Sequence, residues 1–141
     1  MITYASAEDT KAVYDLLCDQ MGRTFDYEAF QMAYAEYIQD ERITAFVAKE
    51  GESVIGFMNV RVDFQLHHMA NVTEIMELAV KREYRMSGVD KELVGRAIEI
   101  ARETHSDCIE VCARRTNEKD HRFYEREGFN KSHYKLKMTI R

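Results

Sequence analysis

The amino-acid sequence predicts an α/β (α+β) fold, in which helices pack on a β-sheet. The chain has 141 residues, the usual size of one domain, and 45% of them are hydrophobic, which is enough for a core. The period of the hydrophobic residues switches repeatedly between that of a strand and that of a helix, in the order β-α-α-β-β-β-α-β-α-β. We therefore expect residues 1–141 to form a single domain.

The N-terminal part predicts a short strand and two helices. The stretch Met1–Ala5 has β character, and Ser6 and Asp9 stand three residues apart, as in the capping box that begins a helix. Gly22 is expected to end this first helix, because glycine adopts the left-handed conformation common at helix C-termini. Asp26 then predicts the cap of a second helix.

The middle of the chain predicts three strands. Thr44–Ala48 and Val54–Val62 are separated by a turn, and Asn71–Val80 follows as the third strand. Strict alternation places two sets of side chains on the two faces of this third strand: Val72, Glu74, Met76, Leu78 and Val80 on one, and Thr73, Ile75, Glu77 and Ala79 on the other. Glu74 and Glu77 are therefore predicted to face opposite sides of the sheet.

The C-terminal half predicts two more helices and two more strands. A basic segment leads into the strongest helical pattern in the chain, which starts at Val89. Cys108–Ala113 is a short β-rich run, and Asn117 predicts the cap of a helix that Gly128 ends. The weak alternation of Ser132–Ile140 predicts a last strand.

Composition and charge exclude several classes of function. Lysine and arginine total 20 against 25 aspartates and glutamates, and this net charge of −5 argues against a nucleic-acid-binding surface. No apolar run approaches the roughly 18 residues of a membrane span, and the first residues lack the basic and apolar segments of a secretory signal. Three cysteines without C-x-x-C spacing suit a reducing cytoplasm, and Cys108 and Cys112 are expected to lie in the core.

The junction between the third strand and the helix after it has the character of an anion site. The first N–H groups of a helix lack backbone acceptors, and the helix dipole places partial positive charge beside them. A phosphate or pyrophosphate can accept hydrogen bonds from these groups. The basic, glycine-containing segment from Lys81 to Lys91 leads directly into such a helix.

Two motifs resemble those of the GNAT superfamily of acetyl-CoA-dependent N-acetyltransferases. The run Arg85–Asp90 is similar to the family's pyrophosphate loop, and Asn117, Phe123-Tyr124 and Gly128-Phe129 match a second family signature downstream. The order of the elements also matches along nearly the whole chain. The resemblance implies a central mixed, mostly antiparallel sheet flanked by about four helices.

A narrower resemblance, to the aminoalkylphosphonate N-acetyltransferases, covers much of the C-terminal half. It rests on four runs, Phe64–His68, Glu74–Leu78, His121–Gly128 and Ser132-His133. The N-terminal half matches more loosely. The resemblance implies the acetylation of a small-molecule primary amine, with an aminoalkylphosphonate as the first choice and other amines left open.

The family resemblance implies acetyl-CoA as co-substrate and a set of residues that hold it. Backbone groups of Leu78 and Val80 would hold the pantetheine arm, and one of the N–H groups would point at the thioester oxygen. The full set of implied cofactor-binding residues is Leu78, Ala79, Val80, Arg85, Met86, Ser87, Gly88, Val89, Asp90, Lys91 and Asn117.

The resemblance also implies two catalytic side chains. Glu74 matches the glutamate that serves several family members as general base; Glu77 is the alternative. The base is needed because a free amine, with a pKa near 10, is mostly charged at neutral pH. Tyr124 matches the tyrosine that protonates the departing sulfur.

One position departs from the family pattern, which has glycine or alanine where this chain has Asp90. A carboxylate about 6 Å from a phosphate repels it by roughly 3 kcal/mol at an effective dielectric of about 20. Ser87 and Asp90 also have the spacing of a capping box, which would occupy the N–H donors that the cofactor needs. The alternative function is therefore a catalytically degenerate binding or interaction module of the same fold.

The adjacent histidines His67 and His68 offer a further chemical feature. In an extended chain their rings point to opposite faces and cannot easily share one metal ion. One of them, with an acid from elsewhere, could bind a divalent cation or a phosphonate, although a solvated loop is the preferred interpretation. A divalent metal thus stays an open option that is not predicted, as does a homodimer.

Overall fold

The computed structural model describes all 141 residues, in two compact units, Met1–Glu110 and Val111–Arg141. The single domain expected from the sequence stays a prediction. The chain forms five strands and four α-helices: β1 (Ile2–Tyr4), α1 (Thr10–Met21), α2 (Tyr27–Tyr37), β2 (Ile43–Glu50), β3 (Ser53–Gln65), β4 (Ala70–Val80), α3 (Val89–Glu103), β5 (Ser106–Val111) and α4 (Glu118–Arg126). None of the four α-helices has the length and hydrophobicity that a membrane span requires.

The strands form one sheet in the order β1-β2-β3-β4-β5. The pairs β1–β2, β2–β3 and β3–β4 are antiparallel, so the mostly antiparallel sheet implied by the family resemblance is confirmed. The start of β5 is fixed beside the start of β4 by side chains. Thr73 Oγ1 and Ser106 Oγ lie 2.7 Å apart, and Asn71 donates to the Thr104 carbonyl at 2.8 Å.

The helix boundaries follow the local signals in the sequence. The Ser6 backbone N–H donates to the Asp9 carboxylate at 2.9 Å, which confirms the capping box. Asp26 accepts from the Ala29 N–H at 2.9 Å and begins α2. Gly22, with φ of 68°, ends α1 in the left-handed conformation.

The sheet has two covered faces within the first unit. On one face, residues of β2, β3 and β4 pack in a single cluster with Val13 and Leu16 of α1 and Tyr34 of α2. On the other face, α3 passes close over β3. A Cβ on Gly56 would lie 3.2 Å from Leu93 Cδ1 and 3.3 Å from Val89 Cγ1, so only glycine allows this approach without a shift of the neighbours.

A β-bulge in β4 corrects the predicted alternation of side chains. Asn59 lies opposite Glu77 and Val60 lies opposite Ile75, so Met76 is an extra residue without a partner. Arg61, two residues beyond Asn59 on β3, lies opposite Glu74. Since directly opposite residues share a face, and so do residues two apart, Glu74 and Glu77 lie on the same face of the sheet. The prediction that they face opposite sides is wrong.

The strand register also shows on which face of the sheet Glu74 and Glu77 lie. Phe57 precedes Asn59 by two residues and lies opposite Ala79, and both belong to the cluster that packs against α1 and α2. Glu74 and Glu77 therefore lie on the α1/α2 face, toward one end of that cluster.

Three predictions for the C-terminal part are wrong. The strand β5 covers Ser106–Val111 rather than Cys108–Ala113. Cys112 follows the strand and is exposed, and Cys108 is half-buried, so neither cysteine lies in the core as predicted. The residues Ser132–Ile140 form no strand, because weak alternation by itself supplies no hydrogen-bonded partner. The helix that Asn117 caps and Gly128 ends is confirmed as α4.

Candidate active site

At the bulge, the buried side-chain amide of Asn59 on β3 forms two hydrogen bonds with Glu77. Asn59 is 0% exposed, and its Nδ2 donates to the Glu77 carboxylate at 2.8 Å. Its Oδ1 accepts from the Glu77 backbone N–H, also at 2.8 Å. The bulge leaves this N–H available, since the regular ladder is interrupted there. Glu77 is thus held by both its backbone and its side chain.

Burial sets the electrostatics of this group. Desolvation raises the pKa of Glu77, and the hydrogen bond from Asn59 offsets part of the effect. Tyr37, the last residue of α2, lies close enough to Glu77 to be affected by its charge. Burial, and after it the charge of Glu77, raises the pKa of the Tyr37 phenol. A carboxylate with a raised pKa is a stronger base than one in water.

A cation, Arg61, lies on the same sheet face as the two carboxylates. Arg61, opposite Glu74, donates from Nε to Asp63 at 2.7 Å. Arg42 lies 3.9 Å from the other oxygen of Asp63. A guanidinium has five N–H donors, so this ion pair leaves Arg61 with donors for another anion.

Sequence reasoning missed Asn59, Tyr37 and Arg61. The signal that could have indicated this part of the site was Asn59, because its polar amide stands in the middle of the apolar run Val54–Val62. A polar side chain on a buried strand must find a hydrogen-bond partner, and here the partner is Glu77.

The backbone of Leu78 and Val80 is directed away from β3. The Lys81 N–H donates to the Ile55 carbonyl of β3, and backbone groups alternate in direction along a strand. Ala79 therefore points toward β3, while Leu78 and Val80 point to the opposite side, where β5 is the next strand. In agreement, the Val80 carbonyl accepts from Arg85 Nε at 3.1 Å. The direction suits the implied contact with a pantetheine arm, which stays a prediction.

Arg85 has a bracing contact within the chain. Besides Val80, its guanidinium contacts the Asp19 carboxylate of α1 at 3.5 Å. The loop that follows contains two left-handed residues, Met86 with φ of 65° and Gly88 with φ of 99°. A non-glycine residue in this conformation is uncommon, and such strain is concentrated at functional loops.

The N-terminus of α3 is not capped by a side chain. Gly88 is the N-cap residue, and the Ser87 hydroxyl donates backward to the Tyr84 carbonyl. The predicted Ser87–Asp90 capping box is therefore wrong, and one of the two reasons for a degenerate cofactor site falls away. Asp90 lies in the first turn of α3, so its charge remains close to the N–H groups of Val89 and Lys91.

Two site residues predicted from the sequence lie in the second unit. Tyr124 is on α4, with ring contacts to Phe123 and Phe129 at 5.0 and 5.4 Å between centroids. Asn117 uses its amide as the helix cap, accepting from the Asp120 N–H at 3.1 Å. Their roles toward the thioester and the cofactor stay predictions.

His67 and His68 lie in the turn between β3 and β4 and not in an extended chain. Their rings are tilted by 56° with centroids 4.5 Å apart, so the argument from opposite faces does not apply to them.

A cleft of about 1030 Å³ in the first unit does not contain Glu74, Glu77, Leu78 or the α3 N-terminus. Six carboxylates and three cations line it, the latter being Lys49, Lys81 and Arg82. This balance repels an anionic cofactor, so the charge argues against placing one there.

Comparison with known proteins decides the family. A model of the acetyltransferase (GNAT) family matches residues 10–129. This chain belongs to the GNAT acetyltransferase family. This chain is 31% identical over 139 residues to an aminoalkylphosphonate N-acetyltransferase of Salmonella typhimurium. The alignment covers 99% of this chain and 90% of the relative.

Solved structures agree with the fold. A transcriptional regulator from Bacillus halodurans superposes with a TM-score of 0.91 at 25% identity, and 99% of each chain is covered. An acetyltransferase of Trypanosoma brucei superposes with a TM-score of 0.85 at 17% identity, again over 99% of each chain. As a member of this family, the protein is an acetyl-CoA-dependent N-acetyltransferase.

Proposed function

We propose that this enzyme transfers the acetyl group of acetyl-CoA to the primary amine of an aminoalkylphosphonate. The observation that carries the proposal is the carboxylate of Glu77, gripped by Asn59, on the same sheet face as the cation Arg61. An acceptor with an amine at one end and an anion at the other fits such a pair. The similarity to the Salmonella enzyme supports the same class.

Glu77 is the first choice for the general base. It takes a proton from the substrate ammonium, directly or through water, and so frees the nitrogen lone pair for attack. Its raised pKa favours this step, and the two hydrogen bonds to Asn59 fix its position. Glu74, the base implied by the family resemblance, shares the face and is the alternative.

Arg61 is placed to bind the phosphonate. It stands two residues from Asn59 on β3, which corresponds to about 7 Å along the strand. A short aminoalkylphosphonate, with its side-chain partners, can bridge such a distance. A guanidinium suits this anion because its paired N–H groups match two phosphonate oxygens.

The cofactor residues are those implied by the family resemblance. The outward-facing backbone groups of Leu78 and Val80 hold the pantetheine arm and one N–H polarises the thioester carbonyl. The uncapped N-terminus of α3 and its loop accept the pyrophosphate, with Lys91 nearby. Tyr124 gives its phenolic proton to the departing thiolate. The cytoplasmic location and a homodimer stay predictions from the sequence.

The test is an acceptor series that measures free thiol released from acetyl-CoA. The acceptors are aminoethylphosphonate, its carboxylate and sulfonate counterparts, and ethylamine, which has no anion. We expect the highest kcat/KM with the phosphonate. In Arg61→Gln this preference should shrink through a higher KM, while turnover of ethylamine stays unchanged.

Matched variants identify the base and define failure. Glu77→Gln should lower kcat most near neutral pH and less at high pH, where the amine is already neutral, whereas Glu74→Gln should change the profile little. Turnover of another amine but of no aminoalkylphosphonate would contradict the substrate class. No thiol release with any amine would overturn the function itself.

A further inference from the structure

A second group of reactive side chains lies apart from the candidate active site. His68, in the turn between β3 and β4, is close to Cys108 and Glu110 of β5. One ring nitrogen of His68, the Cys108 sulfur and a Glu110 carboxylate oxygen all lie within 4.8 Å of one another. The strand order brings these residues together across 40 positions of sequence, because β5 is the neighbour of β4.

A carboxylate orients the histidine of this group. His68 Nδ1 lies 2.8 Å from Asp107 Oδ2. A carboxylate oxygen accepts this hydrogen bond from Nδ1–H, and in the neutral ring the lone pair is then on Nε2. The same carboxylate–histidine pairing supports most metal-bound histidines, where it fixes the ring and raises the basicity of the other nitrogen.

The donor set selects a class of ion. Imidazole and thiolate with one carboxylate suit Zn²⁺ or Co²⁺, whereas Mg²⁺ and Ca²⁺ prefer oxygen alone. Tetrahedral zinc bonds of about 2.0–2.3 Å place ligand atoms roughly 3.5 Å apart. The ligand atoms, now up to 4.8 Å apart, therefore need to move about 1 Å closer together, which side-chain rotation allows.

The charges around the sulfur also favour a cation. Asp107 and Glu110 flank Cys108 in the sequence, so their carboxylates place a negative potential near the sulfur. This potential attracts a divalent ion.

We propose that His68, Cys108 and Glu110 form a zinc site, with Asp107 as the hydrogen-bond partner of His68. Three protein ligands leave a fourth position for water. The ion joins the β3–β4 turn to β5 and so restrains a sheet edge. The site is separate from the residues proposed for acetyl transfer, and it holds whether or not the proposed substrate is correct.

The test uses the full chain, stripped of metal by a chelator and titrated with Zn²⁺ by calorimetry and with Co²⁺ by absorption spectroscopy. We expect one ion per chain and a thiolate-to-cobalt charge-transfer band. Cys108→Ser should abolish the band and His68→Gln should weaken Zn²⁺ binding by more than tenfold. Asp107→Asn should weaken it by about 10–100-fold, as expected when the partner of a ligating histidine is lost.

The chain offers matched controls for the cysteine and histidine ligands. Cys112→Ser, at the exposed cysteine, and His67→Gln, at the adjacent histidine, should leave affinity and spectrum unchanged. Wild-type protein that binds no Zn²⁺, or lacks the thiolate band, overturns the proposal without any variant. So does binding that survives Cys108→Ser and His68→Gln, or that is lost equally in the controls. Circular dichroism of the metal-free proteins verifies that each variant is folded.

Discussion

An aspartate in place of Asn59 would keep one of the two hydrogen bonds that join this residue to Glu77 and reverse the other. Oδ1 would still accept from the Glu77 N–H, but the second oxygen would replace the Nδ2 donor, which lies 2.8 Å from Glu77 Oε1. Two carboxylate oxygens at this distance share one proton, because both cannot ionise together.

The size of the effect follows from the geometry. Two unit charges about 3 Å apart repel by roughly 5 kcal/mol at an effective dielectric of about 20. If solvent and relaxation remove three quarters of this, about 1.4 kcal/mol remains, which is about one pH unit. In Asn59→Asp the acidic limb of kcat/KM should therefore move to higher pH by about one unit or more.

Stability should change with pH in the same variant. At low pH the new carboxyl is protonated and can donate to Glu77 as the amide did. As pH rises, ionisation of the pair is opposed in the folded state only, so the free energy of unfolding should fall. Urea unfolding at acidic and at alkaline pH measures this loss.

Two further variants complete the test. In the double variant Asn59→Asp/Glu77→Gln the like-charge pair is gone, so the additional pH dependence of stability should disappear. Glu74→Gln should leave the acidic limb of kcat/KM where it is. A folded Asn59→Asp enzyme with an unshifted limb would refute the assignment of Glu77 as the base.

Four more outcomes are expected. Because burial raises the pKa of Glu77 above its ordinary 4.5, the folded state loses stability as pH rises above that value. Glu77→Gln should therefore unfold at a higher urea concentration than wild type at neutral pH, but not below pH 4.5. A difference in stability that does not depend on pH would contradict this. Gly88→Ala should lower the free energy of unfolding by about 1–2 kcal/mol, because the φ of Gly88 is 99°. Gly95→Ala, inside α3, should raise it by roughly 1 kcal/mol, because alanine has the higher helix propensity. Equal effects of the two variants would argue against an explanation from backbone conformation. Asp90→Asn should bind acetyl-CoA more tightly in calorimetry, and unchanged affinity would mean that the carboxylate points away from the phosphates. Tyr124→Phe should lower kcat with little change in the KM for acetyl-CoA, and an unchanged kcat would remove the phenol from the mechanism.

The local signals of the sequence determined where the helices begin and end. Asp26, Gly22 and Asn117 act within a few residues of themselves, through a cap or a left-handed turn, and each does so as predicted. The order of the elements as far as α4 was equally readable, because hydrophobic periodicity records which face of each element is buried. These properties needed no knowledge of which residues meet across the sheet.

Tertiary structure decided the active-site geometry. The bulge at Met76 depends on the register between β3 and β4, and it alone brings Glu74 and Glu77 to one face. Likewise, the grip of Asn59 on Glu77 joins residues 18 positions apart, and Gly88 rather than Ser87 caps α3 once the loop turns. A one-residue change in strand pairing reverses every side chain after it, and that pairing is set by contacts between distant residues rather than by local sequence.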